Sequence, residues 1–227
     1  MHQDLTGLLT GFFEADYPGS KKVTLIRHAQ SYGNLKKLLY GSTDFELTPF
    51  GVQQAKSLEH VLASLIPKMD QLYCSNLIRT LQTGQFSLGL TLEEAEDRFT
   101  KTAGLNEIDF GSLEESPFDR MTYDECRFVF NLFLEGRLFY NIVESPDKCS
   151  ERLFGFFASL QANRNSVVYS HSGMTYVILR KMGLSDIHLN NCGVICFTCD
   201  ADGIPKKVYG YWNGAPTNEE SSPKNSG

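Results

Sequence analysis

The sequence predicts an α/β fold, a three-layer sandwich with a doubly wound, mostly parallel sheet and a small helical lid insertion. Short β-branched runs alternate with longer helical patterns, as in a parallel sheet clothed by helices on both faces. Two of those runs, VTLIRH and VVYSH, end in histidine and pass almost at once into a helix. The 227 residues, 41% of them hydrophobic, suffice for one sizeable core and argue for a single body.

Residues 1–20 are expected to form a loosely packed N-terminal extension. KKVTLIR (21–27) is the first strand, followed by a helix through SYGNLKKLL. After the loop GSTDFEL, Thr48 as N-cap and Pro49 at the first helical position begin a helix that runs on through QQAKSLEHVLASL. DQLYCS (70–75) is the second strand and NLIRTLQTGQFSL the helix after it. A polar acidic stretch, TLEEAEDRF, leads to KTAGLNEIDFGSLEE, which is expected to be a strand and then a loop.

The 30 residues 116–145 hold seven aromatics, about twice what the chain's 12% aromatic content provides, so an apolar-lined lid is expected from about 112 to 150. Pro146 opens the next helix, through SERLFGFFASL. NSVVYS (165–170) is a third central strand and GMTYVILRKM its helix, with GVICFTC and KKVYGYW as late edge strands. The body is thus expected over 21–212. The tail 213–227 has almost nothing to bury and is expected to be disordered.

Charge and cysteine usage narrow the function classes. With 21 basic and 27 acidic residues the net charge is -6, and no Lys/Arg run exists to neutralise a nucleic-acid backbone or an anionic membrane. No stretch approaches the roughly 20 apolar residues of a membrane span, and MHQDLTGLLTGFF lacks the basic flank of a secretory signal, so a cytoplasmic location is expected. Six scattered cysteines fit reduced thiols better than a disulfide framework. Cys196 and Cys199 have zinc-like spacing but sit in an apolar run without a second ligand pair, so core thiols are expected and no metal. No pattern indicates an oligomeric state.

In an open parallel sheet the carboxyl ends of the strands line the ligand crevice, and helix N-termini there favour anions. His28 and His171 are placed at that edge. Arg27 adjoins the first, and CSNLIRT puts Arg79 near the first turn of the second helix. Four cationic or potentially cationic groups converge on one anion site.

The blocks RHAQSYGN, DFELTPFGVQQA, CSNLIRTLQT, LNEIDFGSLEE, ESPDKCSER and VVYSHSG occur in this order, and together they resemble the histidine phosphatase superfamily, which includes the phosphoglycerate mutases. The resemblance covers roughly residues 22 to 200. It implies that His28 accepts the phosphoryl group, that Arg27 and Arg79 hold its oxygens, and that His171 is the second histidine of the pocket. It further implies that Glu107 is the general acid and that Asn34 contacts the phosphoryl group. Ala29, Gln30, Val143 and Ser172 depart from the commonest family pattern, and none of them removes a chemical role. Ser172 is expected close to the phosphate, where its hydroxyl either adds a hydrogen bond, as a substrate-binding group, or crowds the site.

Chemistry suits these roles. Phosphoryl transfer concentrates charge on three oxygens, which two guanidinium forks can hold without a metal or other cofactor. Those guanidiniums keep a nearby imidazole neutral and nucleophilic, and a carboxyl group can protonate the leaving alkoxide and then activate water. Only 64 residues separate Glu107 from His171, the compact insertion that resembles the family's phosphatases rather than its mutases. Hydrolysis of a small phosphomonoester is therefore expected. A cofactor-dependent phosphoglycerate mutase and a non-catalytic phospholigand-binding module are the alternatives.

Overall fold

The computed structural model describes residues 4–117 and 144–213. The lid expected over 112–150 therefore falls largely outside the described residues, as does nearly all of the expected tail. Six strands form one sheet in the order β4-β3-β6-β1-β7-β8: β1 Lys21–Arg27, β3 Gln71–Cys74, β4 Thr100–Lys101, β6 Asn165–Ser170, β7 Val194–Cys199 and β8 Pro205–Trp212. The pairs β1–β6, β3–β6 and β3–β4 are parallel, whereas β7 is antiparallel to both β1 and β8. A separate two-residue ribbon joins β2 Leu38–Leu39 to β5 Ser116–Pro117.

Side chains of the central strands alternate between two cores, the period of two that a sheet covered on both faces requires. Ile26, Val167, Tyr169, Val194 and Cys196 join one core, while Val23, Leu25, Val168, Ile195 and Phe197 join the other. The first core is covered by α1 Leu5–Glu14, α3 Pro49–Lys56, α4 Glu59–Leu65, α5 Ile78–Ser87 and α6 Leu92–Arg98. The second is covered by α7 Pro146–Ser159 and α8 Ser172–Lys181. This is the three-layer sandwich that the alternation of elements predicts.

Several elements differ from expectation. The N-terminal segment is no loose extension: Leu5, Leu8, Leu9, Phe12 and Phe13 recur at helical spacing and are buried, with Asp4 capping α1 through Gly7 N at 3.2 Å. Lys22 Nζ closes the far end, donating to the Phe13 and Ala15 carbonyls at 2.8 Å each. The helix expected through SYGNLKKLL is a single turn, α2 Tyr32–Leu35, because Lys37 turns to φ 52° and Leu38–Leu39 leaves to pair with β5. The long helix after Thr48 breaks at Ser57 and Leu58.

TLEEAEDRF forms α6, started by a capping box between Thr91 and Glu94. The strand expected near 101–110 shrinks to β4 and a 3₁₀ turn over Ala103–Leu105. β7 is an interior strand rather than an edge, buried at all six positions between β1 and β8. Its alternation sends Cys196 and Cys199 into opposite cores, so the two thiols cannot share a metal. Burial pushes both thiols up to about 12.

Candidate active site

Register brings the two histidines together. Arg27 pairs with Ser170 across the parallel β1–β6 ladder, so His28 and His171 each follow at the same level as their strands end. His28 N still donates to the Ser170 carbonyl at 3.0 Å, and the imidazole centroids lie 5.2 Å apart. His28 is 3% exposed and His171 is fully buried. Nδ1 of His28 lies 2.7 Å from the Ala29 carbonyl, and Asn191 Nδ2 holds the His28 carbonyl at 2.8 Å. Burial first, then Arg79 and Arg27, keep His28 well below the ordinary histidine range.

Arg79 occupies the first turn of α5 and is entirely buried. Its Nη2 donates to the Gly41 carbonyl at 2.8 Å, Nη1 to the Thr43 carbonyl at 2.9 Å, and Nε to His171 Nδ1 at 3.2 Å. The Tyr40 ring lies against the guanidinium carbon at 4.8 Å. Its ion pair with Asp44 is long, 3.9 Å to a carboxylate 45% exposed. The three hydrogen bonds of Arg79 all run to neutral acceptors, while Glu107, Asp44 and Glu114 supply negative charge nearby. Arg27 reaches the same pocket from β1, with Nη1 on the Leu189 carbonyl at 2.6 Å.

Glu107 comes from the loop after the 3₁₀ turn and lies against the start of α8. Its Oε2 accepts from Gly173 N and its Oε1 from Ile108 N, both at 3.0 Å. The approach is so close that a Cβ on Gly173 would stand 2.2 Å from Oε1. Burial raises the Glu107 carboxyl against the opposing pull of those N–H groups, Arg79 and Arg27. Behind it, Arg152 clamps the loop: Nη1 donates to the Ala103 and Gly104 carbonyls, Nη2 donates to the Glu107 carbonyl, all at 3.1 Å, and the guanidinium is paired with Glu144.

Of the residues expected at the site, Arg27, His28, Arg79, Glu107 and His171 converge. Ser172 opens α8 beside His171. Asn34 accepts through its amide oxygen from Ser31 N at 3.1 Å and from Asn191 Nδ2 at 3.4 Å, the same Nδ2 that holds the His28 carbonyl. The sequence reading misses Tyr40, the Gly41 and Thr43 carbonyls, Ser75, Glu114, Arg152 and Asn191. The two carbonyls carry no side-chain signature, and Glu114, Arg152 and Asn191 act on backbone groups of loops whose paths no periodicity sets. Among the described residues no group of three His, Cys, Asp or Glu side chains could hold a metal ion, and no helix is long and apolar enough to cross a membrane.

Comparison with known proteins sets this geometry in context. Residues 23–211 match the family model of the histidine phosphatase superfamily (branch 1). A broad-specificity phosphatase of Saccharomyces cerevisiae is 31% identical over 165 residues, which is 70% of this chain and 69% of that protein. A 2,3-bisphosphoglycerate-dependent phosphoglycerate mutase of Sinorhizobium fredii is 37% identical over 94 residues, 41% of this chain and 44% of that one. Among solved structures, phosphoserine phosphatase from Entamoeba histolytica in complex with 3-phosphoglyceric acid superposes with a TM-score of 0.63 at 26% identity, covering 86% of this chain and 97% of that chain. The family match runs from β1 to β8 and takes in every residue of the convergent pocket, so this chain belongs to the histidine phosphatase superfamily.

Proposed function

We propose that the protein hydrolyses a small phosphomonoester without a metal, by transferring the phosphoryl group to Nε2 of His28 and then to water. The observation that carries this reading is where His28 keeps its proton. A carbonyl can only accept, so the short contact with Ala29 O places the proton on Nδ1 and the lone pair on Nε2. With its pKa held low by burial and two arginines, the ring is a neutral nucleophile at neutral pH.

In the first step Nε2 attacks phosphorus, the bond to the leaving oxygen breaks, and the Glu107 carboxyl proton passes to that oxygen. Burial of Glu107 favours the protonated carboxyl that this step needs. In the second step the Glu107 carboxylate takes a proton from water as its oxygen attacks phosphorus, and the P–N bond electrons return to Nε2. Arg79 and Arg27 stabilise charge on the phosphoryl oxygens throughout, and His171 and Asn34 flank them.

Sequence likeness to the yeast phosphatase over 70% of the chain, against 41% for the Sinorhizobium fredii mutase, supports hydrolysis. Between 116 and 148 the sequence has four basic and six acidic residues, which favours a monoester with one main charged group over a polyphosphate. The test compares wild type with His28→Ala on p-nitrophenyl phosphate in the presence of a chelator. Chelator-insensitive turnover that His28→Ala abolishes, with an acid-labile, alkali-stable phosphoprotein trapped by rapid quenching, is expected. Equal rates from both proteins would remove His28 as nucleophile. With 3-phosphoglycerate, release of inorganic phosphate is expected to exceed positional isomerisation, and the reverse would make the enzyme a mutase.

A further inference from the structure

The carbonyls that aim Arg79 belong to residues 41–43, a loop without regular structure, so its shape must be imposed from elsewhere. Apart from a long contact of Ser42 Oγ with Asp109 Oδ1 at 3.5 Å, one carboxylate gathers the N–H groups of this loop. Glu114 accepts from Gly41 N at 2.9 Å (Oε1) and 3.0 Å (Oε2), from Ser42 N at 3.0 Å, and from Thr43 N at 3.2 Å and Thr43 Oγ1 at 2.9 Å. Phe110 N, three residues after Glu107, donates to the same carboxylate at 3.0 Å. Successive backbone N–H groups converging on one anion form a concave nest, and its occupant here is a side chain of the protein itself.

The peptide between Gly41 and Ser42 links this nest to the pocket. In a trans peptide the N–H and C=O point in opposite directions. The Ser42 N–H faces Glu114, so the Gly41 carbonyl faces away from it and meets Arg79 Nη2 at 2.8 Å. A carboxylate on the N–H side also polarises the carbonyl and strengthens its bond to the guanidinium. The loop has no room to shift toward the Glu107 segment, because a Cβ on Gly41 would stand 1.6 Å from the Ile108 carbonyl oxygen.

We propose that Glu114 is a positioning residue: by binding the N–H groups of residues 41–43 it turns the Gly41 carbonyl onto Arg79 and fixes the guanidinium that holds the phosphoryl group. This rests on the role assigned above to Arg79. Glu114 touches neither substrate nor the reacting atoms, and its effect is transmitted through one peptide plane.

Glu114→Gln keeps the shape but faces the nest with an amide NH2 that cannot accept. On p-nitrophenyl phosphate, kcat/KM is expected to fall about tenfold to a hundredfold, the scale of a misplaced catalytic group, with the inhibition constant of inorganic phosphate rising in parallel. A merely structural role would lower the active fraction and leave phosphate inhibition unchanged. In an Arg79→Ala background the same substitution is expected to cost less than about a further twofold, since residues acting through one contact are not additive. Unchanged phosphate inhibition in folded Glu114→Gln, or an equal loss in both backgrounds, overturns the proposal. If Glu114→Gln does not fold, Glu114→Asp, which keeps the charge and withdraws the oxygens, carries the same two readouts and the same overturning results. Arg79→Ala alone separates the premises. If it leaves phosphate inhibition unchanged, the role of Arg79 fails; if it weakens inhibition while the Glu114 variant does not, Glu114 alone is misassigned.

Discussion

Arg79 donates through Nε to Nδ1 of His171 at 3.2 Å, and that bond decides where the second histidine keeps its proton. A guanidinium only donates, so Nδ1 holds the lone pair and the neutral ring is protonated at Nε2, 2.8 Å from Ser75 Oγ. Ser75 therefore accepts, and its own proton points to Thr80 Oγ1 at 2.9 Å, which donates onward to the Leu77 carbonyl at 2.8 Å. The two histidines are opposite tautomers held 5.2 Å apart: His28 is turned by a carbonyl and His171 by a cation.

Ser75→Ala should strand the His171 Nε2 proton in the core. An unsatisfied buried donor costs about 1–3 kcal/mol, so the denaturant midpoint is expected to fall with an unchanged slope. Nitrogen chemical shifts of the His171 ring should also change as its Nε2–H loses its acceptor, while Arg79 keeps the tautomer. A variant as stable as wild type, with the same shifts, would show that Ser75 does not accept the Nε2 proton.

Acid should weaken both activity and fold through the same rings. His28 and His171 are each held well below the ordinary value of 6.5 in the folded protein, whereas unfolded chains protonate near that value. The unfolded state therefore binds more protons below pH 6.5. Stability is full above that pH and declines as pH falls toward the folded pKa values, by up to about 1.4 kcal/mol per pH unit for each histidine. His171→Asn should reduce this slope. In wild type kcat/KM should persist below pH 6.5 and fall only as His28 protonates. Its alkaline limb should follow Glu107 and move to higher pH in kcat, where a bound phosphate dianion adds to the effect of burial. Glu107→Gln should abolish that limb, and a retained limb would assign it to another group.

Arg152 should matter in proportion to how much help the leaving group needs. It grips the Glu107 carbonyl and pairs with Glu144, so Arg152→Gln loosens the proposed general acid while leaving Arg27, Arg79 and His28 in place. Phosphorylation of His28 by an alkyl phosphate, whose alkoxide must be protonated, is expected to slow by about tenfold or more, while p-nitrophenyl phosphate keeps a fast first turnover. In the proposed mechanism Glu107 also activates water, so nitrophenolate should then appear as a burst followed by slow turnover. Equal losses with both leaving groups and no burst would place the effect on folding instead.

The parts of the site borne by regular elements can be read from pattern, whereas Glu107, borne by a loop, is reached only through the resemblance of LNEIDFG to a known family, and the other loop groups are not reached. His28 and His171 end β-branched runs of a parallel sheet, and Arg79 follows a strand by one turn of helix, so pattern alone sets all three at one edge. That Glu107 meets Gly173, or that Glu114 folds residues 41–43 onto Arg79, depends on loop paths that no periodicity encodes. Some misses did leave a signal. GVICFTC is apolar on both faces, as an interior strand must be, and Thr91 with Glu94 forms a capping box ahead of α6.

The N-terminal helix gives the sharpest such case, because LxxLLxxFF carries its apolar residues at the spacing of one helical face. Phe12 is fully buried, with the Tyr17 ring at 6.0 Å and the Tyr209 ring of β8 at 5.4 Å. Lys22 Nζ lies 5.4 Å from its centroid while bonding the end of α1, so the helix is tied to β1 and to the edge strand at once. Phe12→Ala should therefore cost about 3–5 kcal/mol, the range for emptying a buried aromatic site, rather than the few tenths expected of a loose extension. Urea unfolding of the variant measures this directly. A shift below about 0.5 kcal/mol, the usual limit for surface substitutions, would mean that α1 does not contribute to the core in solution.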